Sequence, residues 1–264
     1  MKGRSIILTG ASEGIGRALA LALAASGARL ALAARDRGRL ESLAQECRGR
    51  GGDAIAVPTD VTNQQDLEWL VSETLKSFGG IDVVVHNAGI TMWSRFDALA
   101  DFSIFERLME VNYLAPVRLT QLALPHLKRS RGLIVAVASL AGLTGVPERS
   151  GYAASKHAMI GFFDSLRIEL AGTGVDVSVI APDFVASEIH RRAIGPDGEP
   201  LGASPMVQSK IMTAEQCAAR IVRAMQKRRR LLLMSARGRL GQWLKPIAPS
   251  VIDRMAAKAI RQRH

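Results

Sequence analysis

Tyr152 and Lys156 stand four residues apart in the segment Tyr152-Ala-Ala-Ser-Lys156. On a helix that spacing sets a phenol and an ammonium on one face. A shielded ammonium beside a phenol stabilises the phenolate and lowers the tyrosine pKa from its usual value of about 10. Such a phenol can give and take a proton near neutral pH. Thirteen residues before Tyr152, Ser139 follows the apolar run 132–138. A hydroxyl there can donate to a carbonyl oxygen and polarise it. Each feature also has an ordinary reading, because a Tyr–Lys pair often only packs and a serine after a strand often only makes a turn. The context Ala138-Ser139-Leu140-Ala141 is not the G-x-S-x-G elbow of a serine hydrolase. Histidines 86, 126, 157, 190 and 264 form no H-x-x-x-H pair, so no metal is expected. His86 and His157 read as packing or polar neighbours.

A second group lies near the N-terminus. The run Ser5–Thr9 enters Gly10-Ala11-Ser12-Glu13-Gly14-Ile15-Gly16 and then a stretch rich in Ala and Leu. Glycines let the chain turn tightly and approach a pyrophosphate, and the helix N-terminus that follows offers free N–H groups. The spacing is G-x-x-x-G-x-G rather than G-x-G-x-x-G, so the strand-before, helix-after context carries the reading. The next strand ends Ala33-Ala34-Arg35-Asp36. An acid at the strand end would take the ribose hydroxyls of NAD; an apolar Ala34 followed by Arg35 suits a 2′-phosphate. Asp36 reads as the N-cap of the following helix. Asp60, after the third strand, suits either the adenine amino group or a turn.

These groups need a scaffold. Strand-like runs at 5–9, 29–34, 53–57, 81–86, 132–138, 174–181 and 230–234 alternate with helical patterns at about 14–26, 37–49, 63–78, 101–111, 113–128, 152–171 and 214–227. Unbroken Val/Ile/Leu runs suit strands buried on both faces. The alternation implies right-handed crossovers and a parallel sheet between helices, an α/β doubly wound domain. The long irregular stretch 186–213 is expected to be a functional loop. Its Ile189, Ile194, Leu201, Met206, Val207, Ile211 and Met212 suit an apolar substrate or packing on the protein itself.

The chain has 264 residues, 48% apolar and 22% charged, which is a globular composition rather than a disordered one. No apolar run reaches the length of a membrane span, and the opening residues lack a secretory signal. Two cysteines, Cys47 and Cys217, fit a reducing compartment, so a cytoplasmic location is expected. The net charge of +11 is uneven: residues 220–264 hold 13 Lys/Arg against one acid, and residues 1–219 hold 22 against 23. Scarce aromatics, 5%, and a near-neutral body argue against nucleic acid. The expected division is a catalytic part at 1–235 and a basic extension at 236–264. Spacings 244/247/251/255 and 252/255/259 give helical apolar stripes interrupted by Pro246 and Pro249. That pattern suits either peripheral docking on an anionic membrane surface or docking on the body or another subunit.

Across about residues 4–235 the chain resembles the short-chain dehydrogenase/reductase family of the classical type. The residues carrying the resemblance are Thr9-Gly10-Ala-Ser-Glu-Gly14-Ile-Gly16, Asp60-Val61, His86-Asn87-Ala88-Gly89, Asn112, Ser139, Tyr152-x-x-x-Lys156 and Pro182, in the family's order and spacing. The resemblance implies a seven-stranded Rossmann-type sheet and a nicotinamide cofactor. It implies Asn112, Ser139, Tyr152 and Lys156 as catalytic residues: Tyr152 the acid/base, Ser139 orienting the carbonyl, Lys156 holding the nicotinamide ribose and tuning Tyr152, Asn112 anchoring a relay water. Gly10, Ser12, Glu13, Gly14, Ile15, Gly16, Arg35, Asp60, Val61, Asn87, Ala88, Gly89, Pro182, Val185 and Ser187 would line the cofactor with Tyr152 and Lys156. A homodimer or homotetramer through the helices at about 101–128 and 152–171 is implied as well. Two departures stand out: His86 where the family usually has Asn, and Asp183 where it usually has Gly after Pro182, with Ser187 in place of Thr. The resulting expectation is an oxidoreductase exchanging hydride between NADP(H), favoured over NAD(H), and an apolar carbonyl or secondary alcohol, lipid- or steroid-like. The rival readings are a non-catalytic NADP(H)-binding sensor of the same fold and a hydrolase using Ser139.

Overall fold

The computed structural model describes residues 1–204 and 211–261. All seven expected strands form: β1 (Ser5–Thr9), β2 (Arg29–Ala34), β3 (Asp53–Pro58), β4 (Val83–His86), β5 (Leu133–Val137), β6 (Asp176–Ala181) and β7 (Leu231–Leu233). They pair in parallel in the order β3-β2-β1-β4-β5-β6-β7. The strands are apolar on both faces because both faces are covered. On one side α1 (Gly14–Ala24), α2 (Arg37–Gly49) and α7 (Ala214–Gln226) bury Leu19, Leu23, Leu40, Leu43 and Ile221 against Ile6, Leu8 and Val85. On the other, α3 (Gln64–Phe78), α5 (Ala115–Ser130) and α6 (Ser150–Glu169) bury Leu67, Leu70, Leu119, Leu127 and Phe163 against Ile7, Val84 and Ile134.

Chain order reverses between β1 and β4. In open parallel sheets the crevice outside the strand C-termini at such a point is where ligands bind. The turn after β1 and the segment after β4 flank it.

The helices expected at 101–111 and 113–128 differ in form from that reading. A short helix α4 (Ser103–Met109) runs through a π-helical turn, Glu110–Leu114, into α5 without leaving the helical path. A wide turn of this kind often marks a functional site, and Asn112 lies in it. The basic tail forms two helices, α8 (Ala236–Leu244) and α9 (Pro249–Arg261). Pro249 opens α9, where its missing N–H costs nothing. Both cysteines are buried free thiols, pushed up by desolvation to about 11 for Cys47 and about 12 for Cys217. They are inert core residues. Among the described residues no helix is long and apolar enough to cross a membrane.

Candidate active site

The turn after β1 is possible only with glycine. Gly10 has φ +64°, and a Cβ there would lie 2.8 Å from the Ala88 Cα. A Cβ on Gly16 would lie 2.0 Å from the Gly10 carbonyl oxygen. Asn87 braces this turn from β4: its Nδ2 donates to the carbonyls of Thr9 at 3.1 Å and Gly10 at 3.0 Å. The Thr9 hydroxyl accepts from the backbone N–H groups of Asn87 and Ala88 and donates to the Val85 carbonyl. No side chain caps the N-terminus of α1, so its free N–H groups face the crevice. That cradle of backbone donors, with no Cβ in the way, fits a pyrophosphate.

Around the cradle, cations gather. Glu13 accepts from Arg192 at 2.6 Å and from Arg39 at 3.2 Å, tying the turn to α2 and to the loop after β6. Asp36 caps α2 through the Arg39 backbone N–H at 3.0 Å and also pairs with the Arg39 guanidinium. Arg35 is exposed on the same wall, and among the described residues no carboxylate forms an ion pair with it. Asp60 accepts from the backbone N–H and hydroxyl of Thr62 at 3.0 and 2.7 Å. Burial opposes its charge, but these bonds and Arg35 prevail and hold its carboxyl below the usual range. The turn role is therefore realised, and Asp60 still borders the crevice beside Val61. Ser12, Ile15, Ala88, Gly89, Pro182, Val185 and Ser187 border it too. Gly14 leaves room for Ser187, whose Cβ would lie 3.0 Å from a Cβ on Gly14. Asp183 needs no left-handed backbone: among the described residues the non-glycine ones at positive φ are Arg131, Glu148 and Arg228.

The crevice and the space beyond it form one cavity of about 690 Å³. Ser139 sits at the end of β5, where its Oγ accepts from the Ala141 N–H at 3.2 Å and keeps its own proton to donate. Tyr152 and Lys156 face the same cavity from α6. Lys156 is buried; its Nζ donates to the Val137 carbonyl at 3.1 Å. Desolvation pushes the ammonium below its usual range, Tyr152 opposes that shift, and Arg149 adds to it. Asn112 pins the chain after β4: its Oδ1 accepts from the Ile90 N–H, and its Nδ2 donates to the Ile90 carbonyl and the Ser155 hydroxyl, each at 2.9 Å. The Oδ1 lies near Gly89, where a Cβ would be 3.0 Å from it and 3.6 Å from Lys156 Nζ.

The chain belongs to the short-chain dehydrogenase family. The short chain dehydrogenase sequence profile matches residues 4–195. A Dehydrogenase/reductase SDR family protein 7-like of Dictyostelium discoideum is 34% identical over 97% of this chain and 82% of its own length. An 11-beta-hydroxysteroid dehydrogenase-like 4A of Arabidopsis thaliana is 36% identical over 96% and 83%. The solved structure of an alcohol dehydrogenase from the archaeon Thermococcus sibiricus, complexed with 5-hydroxy-NADP, superposes with a TM-score of 0.74. It is 29% identical, over 88% of this chain and 95% of that one. Membership makes the protein an oxidoreductase with a nicotinamide nucleotide site.

The loop after β6 and the tail take these places around the site. Of the described residues among Ile189, Ile194, Leu201, Ile211 and Met212, only Ile189 borders the cavity. Ile194 bridges to Met92, Leu201 and Ile211 pack around Trp93 and Ala193, and Met212 joins the main core. Packing therefore claims these four. Met206 and Val207 lie outside the described residues. The tail, expected as a basic extension at 236–264, lies beside the site. Gly238, Gly241, Gln242 and Lys245 of α8 and its end, and Ile252, Met255 and Ala256 of α9, border the same cavity as Tyr152. Lys245 Nζ donates to the Leu143 carbonyl at 2.7 Å, and Gly238 packs closely on Leu140. Ile252 is the buried anchor, while Leu240, Trp243 and Ile247 stay exposed on the other side. Sequence reading missed Arg39, Arg149 and Arg192 at the site, since a lone arginine on a loop or helix end carries no spacing signal.

Proposed function

We propose that this chain interconverts a carbonyl and a secondary alcohol with NADP(H) in preference to NAD(H), on an apolar, lipid- or steroid-like substrate. The observation that carries the reading is that Ser139, Tyr152 and Lys156, from two elements, face one cavity continuous with the glycine turn. A nicotinamide nucleotide, when bound, supplies or accepts the hydride. Ser139 has a free proton to donate to the substrate oxygen, which polarises the carbonyl. Tyr152 gives that oxygen its proton during reduction and takes it back during oxidation. Lys156 donates to the Val137 carbonyl and to the Met159 sulfur, keeps a third proton for the ribose, and supports the Tyr152 phenolate by its charge. Asn112 has both amide protons engaged, so its part in proton relay runs through the remaining lone pair of Oδ1, beside Gly89 and Lys156. Asn87 and the glycines 10, 14 and 16 hold the nucleotide cradle, and Arg35 receives the 2′-phosphate.

Apolar substrate preference is supported by the cavity walls: Val111, Leu143, Val146, Phe184, Ile252 and Met255. It also agrees with relatives named for steroid dehydrogenation. An absorbance assay of the nicotinamide band, with NADPH and NADH against aldehydes, ketones and keto-lipids, tests the reading. Tight NADPH binding without turnover of any of them would favour the sensor instead.

The tail adds a location. Residues 236–264 hold seven Lys/Arg against one acid. Trp243 and Ile247, 78% and 82% exposed, stand with exposed Arg239 in the tail segment whose other residues border the substrate cavity. This is the composition of a surface that rests peripherally on an anionic bilayer, each basic residue adding about 1 kcal/mol. A cytoplasmic enzyme so docked would draw substrate from the membrane. Sedimentation with anionic vesicles should be salt-sensitive and weakened by Trp243→Ser with Ile247→Ser, without loss of activity on a soluble ketone. Equal sedimentation with neutral vesicles would refute it. Self-association is proposed through α4–α5 and α6, where Leu114 and Ile168 are exposed.

A further inference from the structure

Arg149 is buried at the start of α6, with 5% of its surface exposed. Among the described residues no carboxylate forms an ion pair with it. Its Nη2 donates to the Thr91 hydroxyl at 2.6 Å, and its Nε is fully buried without a hydrogen-bond partner. Three rings surround the guanidinium, at 4.3 Å to the centre of Tyr152, 5.3 Å to Trp93 and 5.7 Å to Phe184. A buried charge without a counter-charge is costly. A cation at a helix N-terminus also meets the unfavourable end of the helix dipole. The chain even adopts a strained backbone here. Glu148 sits at φ +64°, held by Trp93 Nε1 on its carboxylate and by the Ser94 N–H on its carbonyl. Strain and an unpaired cation together mark a place where function outweighs stability.

The missing anion is supplied by chemistry the site itself performs. We propose that Arg149 is a positioning residue that stacks on Tyr152 and, with Lys156, stabilises its phenolate. The proposal rests on Tyr152 being the acid/base. During reduction the O–H bond of Tyr152 breaks and its proton forms the new O–H bond of the alcohol. The negative charge left on the phenol then has two cations close to its ring, the guanidinium 4.3 Å and the ammonium 5.9 Å from the ring centre. Oxidation runs the same transfer backwards. Arg149 is thus the nearer cation. Desolvation pushes the guanidinium below its usual range, and the charge and hydrogen bonding of Tyr152 offset only part of that shift.

The other charged groups about this spot are accounted for. Glu148 is bonded to Trp93, and Glu188 pairs with Arg191. Arg95 pairs with Asp97, and Lys245 is held by Leu143. Asp183 accepts from the Phe184 N–H, and His190 contacts the Val185 carbonyl.

The protein has two tyrosines, Tyr113 and Tyr152, so in a Tyr113→Phe background tyrosinate absorbance reports Tyr152 alone. In the full chain, Arg149→Met should move that titration up by about one to three pH units, the size expected of an opposite charge within ~4–6 Å. Arg149→Lys should restore most of the shift. The pH profile of alcohol oxidation should move with it, while NADPH affinity holds. An unmoved midpoint in folded Arg149→Met overturns the proposal. Should that variant not fold, Thr91→Val, which frees the guanidinium from its anchor, must move the midpoint in the same direction by a smaller amount, and no movement is equally fatal. If the midpoint shifts but Tyr152→Phe still turns over, the acid/base assignment fails while the coupling of Arg149 to Tyr152 stands.

Discussion

Arg35→Ala isolates cofactor choice. Arg35 is exposed and forms no ion pair with a described carboxylate, so its loss should leave the free protein's stability unchanged within ~0.5 kcal/mol. The two acids nearby are already engaged: Asp36 caps α2 through Arg39, and Asp60 holds Thr62. An NAD site uses such an acid on the ribose hydroxyls, and here both acids already hold partners within the protein. A charge-assisted contact to a 2′-phosphate contributes about 1.5–3 kcal/mol. Exposure and salt place this one at the lower end, and Arg39 remains on the same wall. NADPH affinity should therefore fall about tenfold, with NADH affinity nearly unchanged. Titration calorimetry or nucleotide fluorescence at fixed ionic strength reads both. Equal losses for the two nucleotides, or equal affinities in the unaltered protein, would refute the reasoning.

Tyr152→Phe keeps the ring and removes the proton, so turnover should drop by about 10²–10⁴ or more while NADPH still binds. Ser139→Ala should leave a larger residual rate, because polarising the oxygen is one part of the barrier reduction; steady-state kinetics with one ketone compares the two. His86 is fully buried, bonded to the Thr120 hydroxyl, and pushed down by desolvation to about 3. The unfolded chain takes up that proton at about 6.5. Its contribution is complete above pH 6.5 and is lost as pH falls toward 3, at about 1.4 kcal/mol per unit. Urea unfolding at pH 7 and pH 5.5 should show a smaller acid loss for His86→Gln than for the unaltered chain, and identical losses would contradict this.

The strands and the helices against them were legible because they obey local rules. A run such as Leu133–Val137 is apolar throughout because it is covered on both sides, and no tertiary knowledge is needed to see it. Asp36 as a cap was likewise readable from its position before Arg37. The cradle was readable too, since Gly16 tolerates no Cβ where Gly10 crosses it. The sequence could not show that a π turn carries Asn112 to Ile90, because hydrophobic spacing looks alike on either side of one wide turn. Nor could it show which apolar residues of the loop after β6 serve the cavity: Ile194 and Leu201 match Ile189 in type and differ only in what packs beside them. Arg149 is one residue among 35 Lys and Arg, and only the convergence of Trp93, Tyr152 and Phe184 around it gives its charge a meaning. The tail's composition was plain, but its place over the cavity was decided by Gly238 packing on Leu140 and Lys245 bonding to the Leu143 carbonyl. These are contacts between residues about a hundred positions apart, which only the closed fold brings together.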